Sequence, residues 1–446
     1  MPVLADEELA AAQARLADAE VRMLSGSVVD PAGVIRAKHV PIKRAGAFHL
    51  NGMGASPSWN VFCVDNAIAF TPRFGVVGDL RLRADLTALR VLGDGLAWAP
   101  AEMFDQQGAP APVCTRGLLR RTQAGLAERG LAAHLGCELE MVLTPRTGPG
   151  WNAYGLGALL DVEPFVLDLL AAADRAGLPI EQVHAEYGDS QLEFSLSPTD
   201  PLAAADHVVL ARLIASRVAR RHGLAVSFSP LPFAGGSGNG AHQHLALTLD
   251  GAPLLSGGAG PHGLTDDGGA AIGGVVGGLP ELLAVFAGSV LSPLRLQPGH
   301  WSGAFACWGL ENREAAVRLC AATRGNPHGA SVELKCIDPS ANPYLAAAVF
   351  LELALEGLAD GTPLPPEVTV DPASLTPDET ARTGTVRLPA DQAAALAALE
   401  ASPLARRLLG EEILEALIAV RRHEHDTYGN EDVEAVTEKL RYAWSA

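Results

Sequence analysis

Six side chains carry most of the chemistry that can be read from this chain: Glu138, Glu140, Glu186, Glu193, Glu333 and His242. Glu138 and Glu140 alternate in the apolar run CELEMVL, so they share one face of a strand. Two carboxylates side by side in an apolar setting call for a cation between them, whereas a solvated strand face gives the same alternation with no partner. Glu186 and Glu193 lie in HAEYGDSQLEF, whose Gly188-Asp189 centre can turn the chain and set them on neighbouring strands. His184, in the same run, reads as a structural histidine and receives no role. The stretch GNGAHQHLAL puts His242 and His244 on one face of a strand behind a glycine-rich loop. Neutral imidazole suits a divalent metal or a phosphate, and such a loop lets backbone amides approach an anion. In SVELKCI, Glu333 and Lys335 share a face, as an ion pair or as a metal ligand beside an anion clamp. Arg295, Arg313 and Arg318 lie just upstream, and arginine is the expected tool for gripping carboxylates and phosphates. A set of oxygen donors with one or two imidazoles suits Mg²⁺ or Mn²⁺ better than structural zinc.

The elements that must position these residues alternate in type. Residues 5–24 read as a helix, and residues 27–110 as short β-rich pieces: SVVD, VIRAKHV, WNVFCVDNAIAFT and GDLRLRADLTALRVL. The proline-rich APAP near 109–112 marks a boundary, giving an N-terminal domain over 1–112 and a larger one over 113–446. Helices are expected at 115–134, 163–176 and 201–222, with strands at CELEMVL, VHAEYGDSQLEFSL, AVSFSPL, AHQHLALTLDG, AAVRLC and SVELKCI between and after them. Leu409, Ile413, Leu417 and Val420 give the C-terminal third helical spacing. The fold class is α+β, with strands mostly in hairpins.

The chain has 446 residues and a net charge of −18, which argues against nucleic acid or an anionic membrane surface as the main partner. Six cysteines without a CxxC pair read as buried thiols in a reducing cytosol. The acidic N-terminus does not read as a signal peptide, and the apolar segment 270–291 reads as a core segment, so a soluble cytoplasmic protein is expected. No GxxxxGK[ST], GxSxG or HExxH occurs, so any ATP is held by a route other than a Walker loop.

Taken in order, CELEMVL, AEYGDSQLEF, GSGNGAHQHLAL, WGLENREAAVRL and VELKCIDPSANPYL resemble the glutamine synthetase family over residues 115–446, with a weaker match before them. The resemblance implies a small N-terminal β-grasp domain and a large catalytic domain with a mainly antiparallel sheet and flanking helices. It implies one metal site from Glu140, Glu186 and Glu193, and a second from Glu138, His242 and Glu333. His244 and Arg318 would hold ATP, Gly238, Arg295 and Lys335 the glutamate, and Arg313 the transferring phosphoryl group. It further implies a homo-oligomer, a dodecamer of two hexameric rings. The implied reaction moves the γ-phosphoryl group of ATP to the glutamate side chain, and an amine then displaces phosphate.

The sequence departs from that pattern at Gln297-Pro298-Gly299-His300-Trp301. Family members that use ammonia carry a catalytic glutamate where Trp301 stands. An indole cannot deprotonate ammonium, but it can pack on a hydrocarbon or face an organic cation. Lys335 stands in place of a substrate-site arginine, and Glu311 in place of a basic residue. FHLNGMGASPSW presents no clear aspartate for ammonium, and 356–366 lacks the adenylylation tyrosine. QPGHWSGAFACWGLENREAAVRL looks like the branch with FluG-type domains and γ-glutamyl-amine ligases. The expectation is therefore a glutamate–amine ligase acting on a substituted amine. The alternatives are glutamine synthesis from ammonia, a non-catalytic scaffold on the same fold, and phosphoryl transfer to a guanidino compound.

Overall fold

The computed structural model describes residues 1–145, 150–324 and 329–446. Six strands form the N-terminal sheet: β1 (Met23–Val29), β2 (Ile35–Pro41), β3 (Met53–Ala55), β4 (Leu80–Ala84), β5 (Arg90–Gly93) and β6 (Leu96–Phe104). Their order is β2-β1-β6-β4-β3, with β5 also on β6, and β1 and β6 run parallel at its centre. Two readings of this region change. The expected first helix ends at Asp18, because the chain must turn and enter β1 at Met23. WNVFCVDNAIAFT is not a strand but a 3₁₀ turn, Pro57–Val61, followed by a tight loop closed by a Phe62–Ile68 bridge.

A second sheet holds the chemistry. Its strands are β7 (Leu131–Thr144), β8 (Ile180–Ala185), β9 (Gln191–Thr199), β10 (Ala225–Ser227), β11 (Gln243–Leu249), β12 (Ala252–Pro253), β13 (Phe305–Leu310), β14 (Ala315–Cys320), β15 (Ser331–Leu334) and β16 (Val386–Arg387). The order is β16-β13-β14-β15-β11-β7-β9-β8, antiparallel except between β13 and β14. The mixed α+β class with a mainly antiparallel catalytic sheet is thus the observed one. The helix expected at 115–134 stops at Glu128, and Gly130, at φ +71°, turns the chain into β7. The sequence LAAHLG, helical by propensity, is drawn into β7 by pairing along the whole of β11.

β7 alternates cleanly. Leu135, Cys137, Leu139 and Met141 are buried on its back, under the helices Thr115–Glu128 and Pro201–Arg221, which leaves Glu138 and Glu140 on the front. Arg116 pins the first of these helices to both sheets' surroundings. It meets Asp206 through two bonds of 2.9 and 2.8 Å, Asp85 at 2.9 Å and Glu102 at 2.6 Å, all buried. Removing one partner from such a network costs about 3–5 kcal/mol. The apolar segment near 270–291 is the helix Asp266–Phe286, long and apolar enough to cross a membrane, with 78% of its most apolar window buried. Its glycines explain the composition: a Cβ on Gly274 would meet the Leu353 carbonyl at 2.4 Å and Gly357 Cα at 2.6 Å, so backbones touch where it packs on the helix Pro343–Asp360.

Candidate active site

The expected residues gather on the front of the large sheet in two cross-strand rows. In the first, His184 of β8 lies opposite Glu193 of β9, which lies opposite Glu140 of β7. Glu186 follows directly after β8, where its N–H bonds the Gln191 carbonyl at 2.7 Å and closes the hairpin. His184 Nε2 lies 3.1 Å from Glu186 Oε1 and 3.6 Å from Glu193 Oε2. These three side chains place ligand atoms within 4.8 Å of one another. His184, left without a role by the sequence reading, therefore belongs to this cluster. Its spacing from Glu186, two residues apart at the end of β8, was the available signal.

In the second row, Arg318 of β14 lies opposite Glu333 of β15, which lies opposite His244 of β11, which lies opposite Gly136 of β7. Pairing of β7 runs past the start of β11: Glu138 N–H donates to the His242 carbonyl at 3.0 Å and Glu140 N–H to the Gly240 carbonyl at 3.1 Å. The glycine-rich loop is thereby zipped onto the strand that carries the paired glutamates. His242 Nδ1 sits 3.3 Å from Glu138 and 3.4 Å from Glu333, and His244 Nε2 lies 3.3 Å from Glu138. Glu138 and Glu333 of the second expected metal set thus both lie beside His242, but it is His244, expected to hold ATP, whose ligand atom lies with theirs within 4.8 Å of one another.

The charges in the two rows differ. Burial pushes the Glu193 carboxyl up, to about 8; His184 opposes the shift, while Glu138, Glu140 and Glu186 add to it. His184 is drawn up to about 10 by Glu186 and Glu193. In the other row, burial would raise Glu333, but Lys335, His244 and His242 overcome it and hold the carboxyl at about 2. Lys335 Nζ donates to Glu333 Oε1 at 3.0 Å, and Arg318 to Glu333 Oε2 at 3.0 Å. Arg318 also pairs with Glu311. Glu311 adopts a φ of 50°.

Two residues join the rows. Gln191, buried, places its amide nitrogen 2.9 Å from Glu140 Oε2, the Gly238 carbonyl and Asn239 Oδ1, tying the glutamate to the loop. Arg295, also buried, donates from Nη2 to His242 Nε2 at 3.1 Å and to the Lys335 carbonyl at 3.3 Å. Its Nη1 is buried without a hydrogen-bond partner among the described residues. A buried unsatisfied guanidinium donor suits an anionic ligand. Neither Gly238 nor Gly240 has room for a side chain: a Cβ would meet Arg295 Cγ at 2.6 Å from Gly238, and His242 Nε2 at 2.5 Å from Gly240. Gln191, Asn239 and Gly240 were not singled out from sequence, since an amide or a glycine carries no charge signature.

Arg313 and Trp301 lie apart from this cluster. Arg313 is exposed in the β13–β14 connection, near enough to Glu311 to help lower its carboxyl, after burial raises it and Ala321 and Arg318 lower it. Trp301 is 58% exposed at a φ of 52°, its N–H held at 2.8 Å by the buried carboxylate of Glu314. The same loop returns to the sheet at Gly303, where a Cβ would touch Lys335 Cβ at 2.9 Å. The carboxylate-rich donor sets fit oxygen-preferring divalent cations, since crowding of Glu138, Glu140, Glu186 and Glu193 is relieved by positive charge.

Comparisons with known proteins agree with this geometry. Residues 112–439 match the family model for the glutamine synthetase catalytic domain. The chain is 40% identical over 429 residues to the gamma-glutamylpolyamine synthetase GlnA3 of Streptomyces coelicolor, covering 93% of this chain and 92% of that protein. It is 29% identical over 357 residues to protein fluG of Emericella nidulans, covering 76% of this chain and 38% of that protein. A crystal structure of a glutamine synthase homolog superposes with a TM-score of 0.86 at 31% identity, over 96% of this chain and 99% of that one. The chain belongs to the glutamine synthetase family, whose members are ATP- and divalent-metal-dependent ligases that form carbon–nitrogen bonds.

Proposed function

We propose that the chain joins the side-chain carboxylate of glutamate to a substituted amine, with ATP converted to ADP and phosphate. The observation that carries this reading is Trp301: at the tip of the 297–303 loop it presents an exposed indole, held in place by Glu314, where the family resemblance implies an acid in ammonia-using members. An indole face favours a hydrocarbon or organic cation over a bare ammonium ion. The 40% identity to a protein named as a gamma-glutamylpolyamine synthetase supports the same choice.

In this reading Glu140, Glu186 and Glu193 hold one Mg²⁺ or Mn²⁺, with His184 orienting the two glutamates it touches. Glu138, His242 and Glu333 hold the second. Bound divalent cations would neutralise the γ-phosphoryl group as it transfers. Arg295, with its free Nη1, and Gly238 bind the glutamate substrate, with Lys335 beside them. His244 and Arg318 hold ATP phosphates, and Arg313 reaches the phosphoryl group from the β13–β14 connection. We also propose a ring-forming homo-oligomer, two stacked hexamers. Exposed apolar residues at Phe70, Val76 and Val77 and at Leu156, Leu160 and Leu167 support buried interfaces.

The test is phosphate release from ATP with glutamate and a panel of amines: ammonia, alkylamines, ethanolamine and polyamines. Turnover with at least one substituted amine and little with ammonia is expected. Turnover with ammonia alone overturns the reading. Trp301→Glu should then improve the use of ammonia and weaken that of the substituted amine.

A further inference from the structure

Away from the sheet, a turn and a long late helix bring a thiol, a carboxylate and an imidazole to one point. The turn is rigid: Cys63 N–H bonds the Ala67 carbonyl at 2.9 Å, Asn66 N–H the Cys63 carbonyl at 3.0 Å, and Ala67 N–H donates to Asp65 Oδ1 at 2.9 Å. Arg36 braces it from outside, donating to Asn66 Oδ1 at 2.6 Å and to the Cys63 carbonyl at 3.2 Å, with its guanidinium 5.0 Å over the Phe62 ring. Facing the turn is the helix Pro403–Tyr428. His423 Nε2 lies 3.2 Å from Asp65 Oδ2, and Tyr428 Oη donates to the same oxygen at 2.9 Å. Cys63, Asp65 and His423 each offer a donor atom, and all three lie within 4.8 Å of one another.

We propose that Cys63, Asp65 and His423 form a binding site for a zinc-class divalent ion, distinct from the sheet-face site, that clamps the 62–68 turn to the long helix Pro403–Tyr428. The donor set decides the ion. One thiolate, one imidazole and one carboxylate suit zinc, and a thiolate discriminates against magnesium. The geometry is close to what zinc needs. Tetrahedral bonds of roughly 2.0–2.3 Å set donors about 3.3–3.7 Å apart, so the Asp65–His423 pair is already placed and Cys63 closes by at most about 1.3 Å. A water completes the fourth position, and Tyr428 steadies Asp65 from outside. Hydrogen bonds account for Asp65 and Tyr428, while the Cys63 thiol makes a weak 3.8 Å contact to the Val61 carbonyl and a further bond to the Ala69 backbone. Burial and Asp65 push that thiol up to about 12, so it stays protonated without an ion; the sulfur–zinc bond forms as its proton passes to solvent. Asp65 and His423 are 358 residues apart, so an ion there ties together remote parts of the chain.

The experiment titrates the metal-free full chain with Co²⁺ in excess Mg²⁺, which fills the oxygen-rich sheet-face sites. A sulfur-to-cobalt charge-transfer band rising to one equivalent is expected, and Zn²⁺ should displace it. Cys63→Ser removes the band, while Cys320→Ser, a change at the sheet face, leaves it. Tyr428→Phe weakens cobalt binding about 10- to 100-fold, as loss of an outer partner does. No band in the wild type, or a band surviving Cys63→Ser, overturns the proposal. His423→Gln guards against misfolding, because His423 is half-exposed. Zn²⁺ should raise the melting temperature of the wild type but not of this variant; an equal rise in both also overturns the site.

Discussion

On the β8–β9–β7 side of the sheet, Glu186 and Glu193 crowd around one histidine with Glu140 opposite Glu193, whereas on the β11–β15–β14 side Glu138 and Glu333 are met by His242, His244, Lys335 and Arg318. Two buried glutamates of one chain thus end near opposite extremes, Glu193 at about 8 and Glu333 at about 2. Burial raises both, and the neighbours decide the sign. The first side carries surplus negative charge and is suited to a cation. The second is neutralised internally, and its lysine and arginines can exchange Glu333 for an incoming phosphate or carboxylate. Metal first and anion second is the order this contrast favours.

The strongest way to break the contrast is to remove each glutamate in turn. Glu333→Gln leaves buried Lys335 and half-buried Arg318 without their shared anion, and the metal-free protein should lose about 3 kcal/mol in denaturant unfolding. Glu193→Gln removes a like charge facing Glu140 across the strands, so the metal-free protein should hold or gain stability at pH 8. Both should lower metal-dependent phosphate release by about 10²–10³-fold, the scale of losing one electrostatic element of such a site. Equal destabilisation by both would show that the two sides do not differ as argued.

The seam between the sides is Gly240. A Cβ there would meet His242 Nε2 at 2.5 Å, Glu140 Oε1 at 2.7 Å and Arg295 Nη2 at 2.9 Å, members of both rows. Gly240→Ala should therefore shift both at once and lower kcat/KM about 10²-fold, the effect of roughly an ångström of misplacement. Its stability cost is expected at about 1–3 kcal/mol. Gly125→Ala is the control: nothing lies within 4 Å, and in its helix the change should stabilise by about 0.5–1 kcal/mol.

Much of this was legible in the sequence because alternation in a strand is a geometric code. Glu138 with Glu140, His242 with His244, and Glu333 with Lys335 each share a face by spacing alone, and the sheet places all three pairs on its front. What sequence could not supply is register. Nothing local says that His184 faces Glu193, or that His244 sits between Gly136 and Glu333. That is why His184 was passed over. The loop 57–68 misread as a strand for a related reason: its apolar alternation is genuine, but Pro57 and the Asp65-Asn66 turn, with Asn66 at φ 67°, override it. The central strand β6 was missed because Pro100 and three alanines weaken its propensity, and pairing on both sides restores it.

A gentler probe of the contrast is pH. Glu193 binds its proton up to about pH 8 in the folded chain but only to about 4.5 when unfolded, and His184 up to about 10 against 6.5. Both folded values are raised, so their stabilising contribution is complete below the unfolded values and is lost as pH rises through the folded ones. The metal-free protein should therefore lose stability from pH 6.5 to 8. A divalent ion held by Glu193 must displace that carboxyl's proton, so Mg²⁺ or Mn²⁺ affinity should fall by up to about tenfold per unit below pH 8. Calorimetric titration at pH 6 and 8, with melting curves at each, checks both signs. Glu193→Gln should flatten the dependence, and Glu333→Gln should not.

The smallest effect is expected at the rim of the acidic side. Tyr154 donates its hydroxyl to Glu186 Oε2 at 3.2 Å, and its ring lies 5.6 Å from that of His184. It is 61% exposed and sits at a φ of 57°, held by its N–H on the Ala185 carbonyl at 3.0 Å. An exposed hydrogen bond at this distance contributes about 0.5–1 kcal/mol, so Tyr154→Phe should weaken metal binding only two- to about fivefold. The backbone bond and the ring contact both survive the change, which confines the loss to the hydroxyl. A loss tenfold larger would mean that the phenol does more than steady Glu186. Tyr154 would then count among the groups that hold the cation, and the acidic side would reach further towards solvent than its three glutamates indicate.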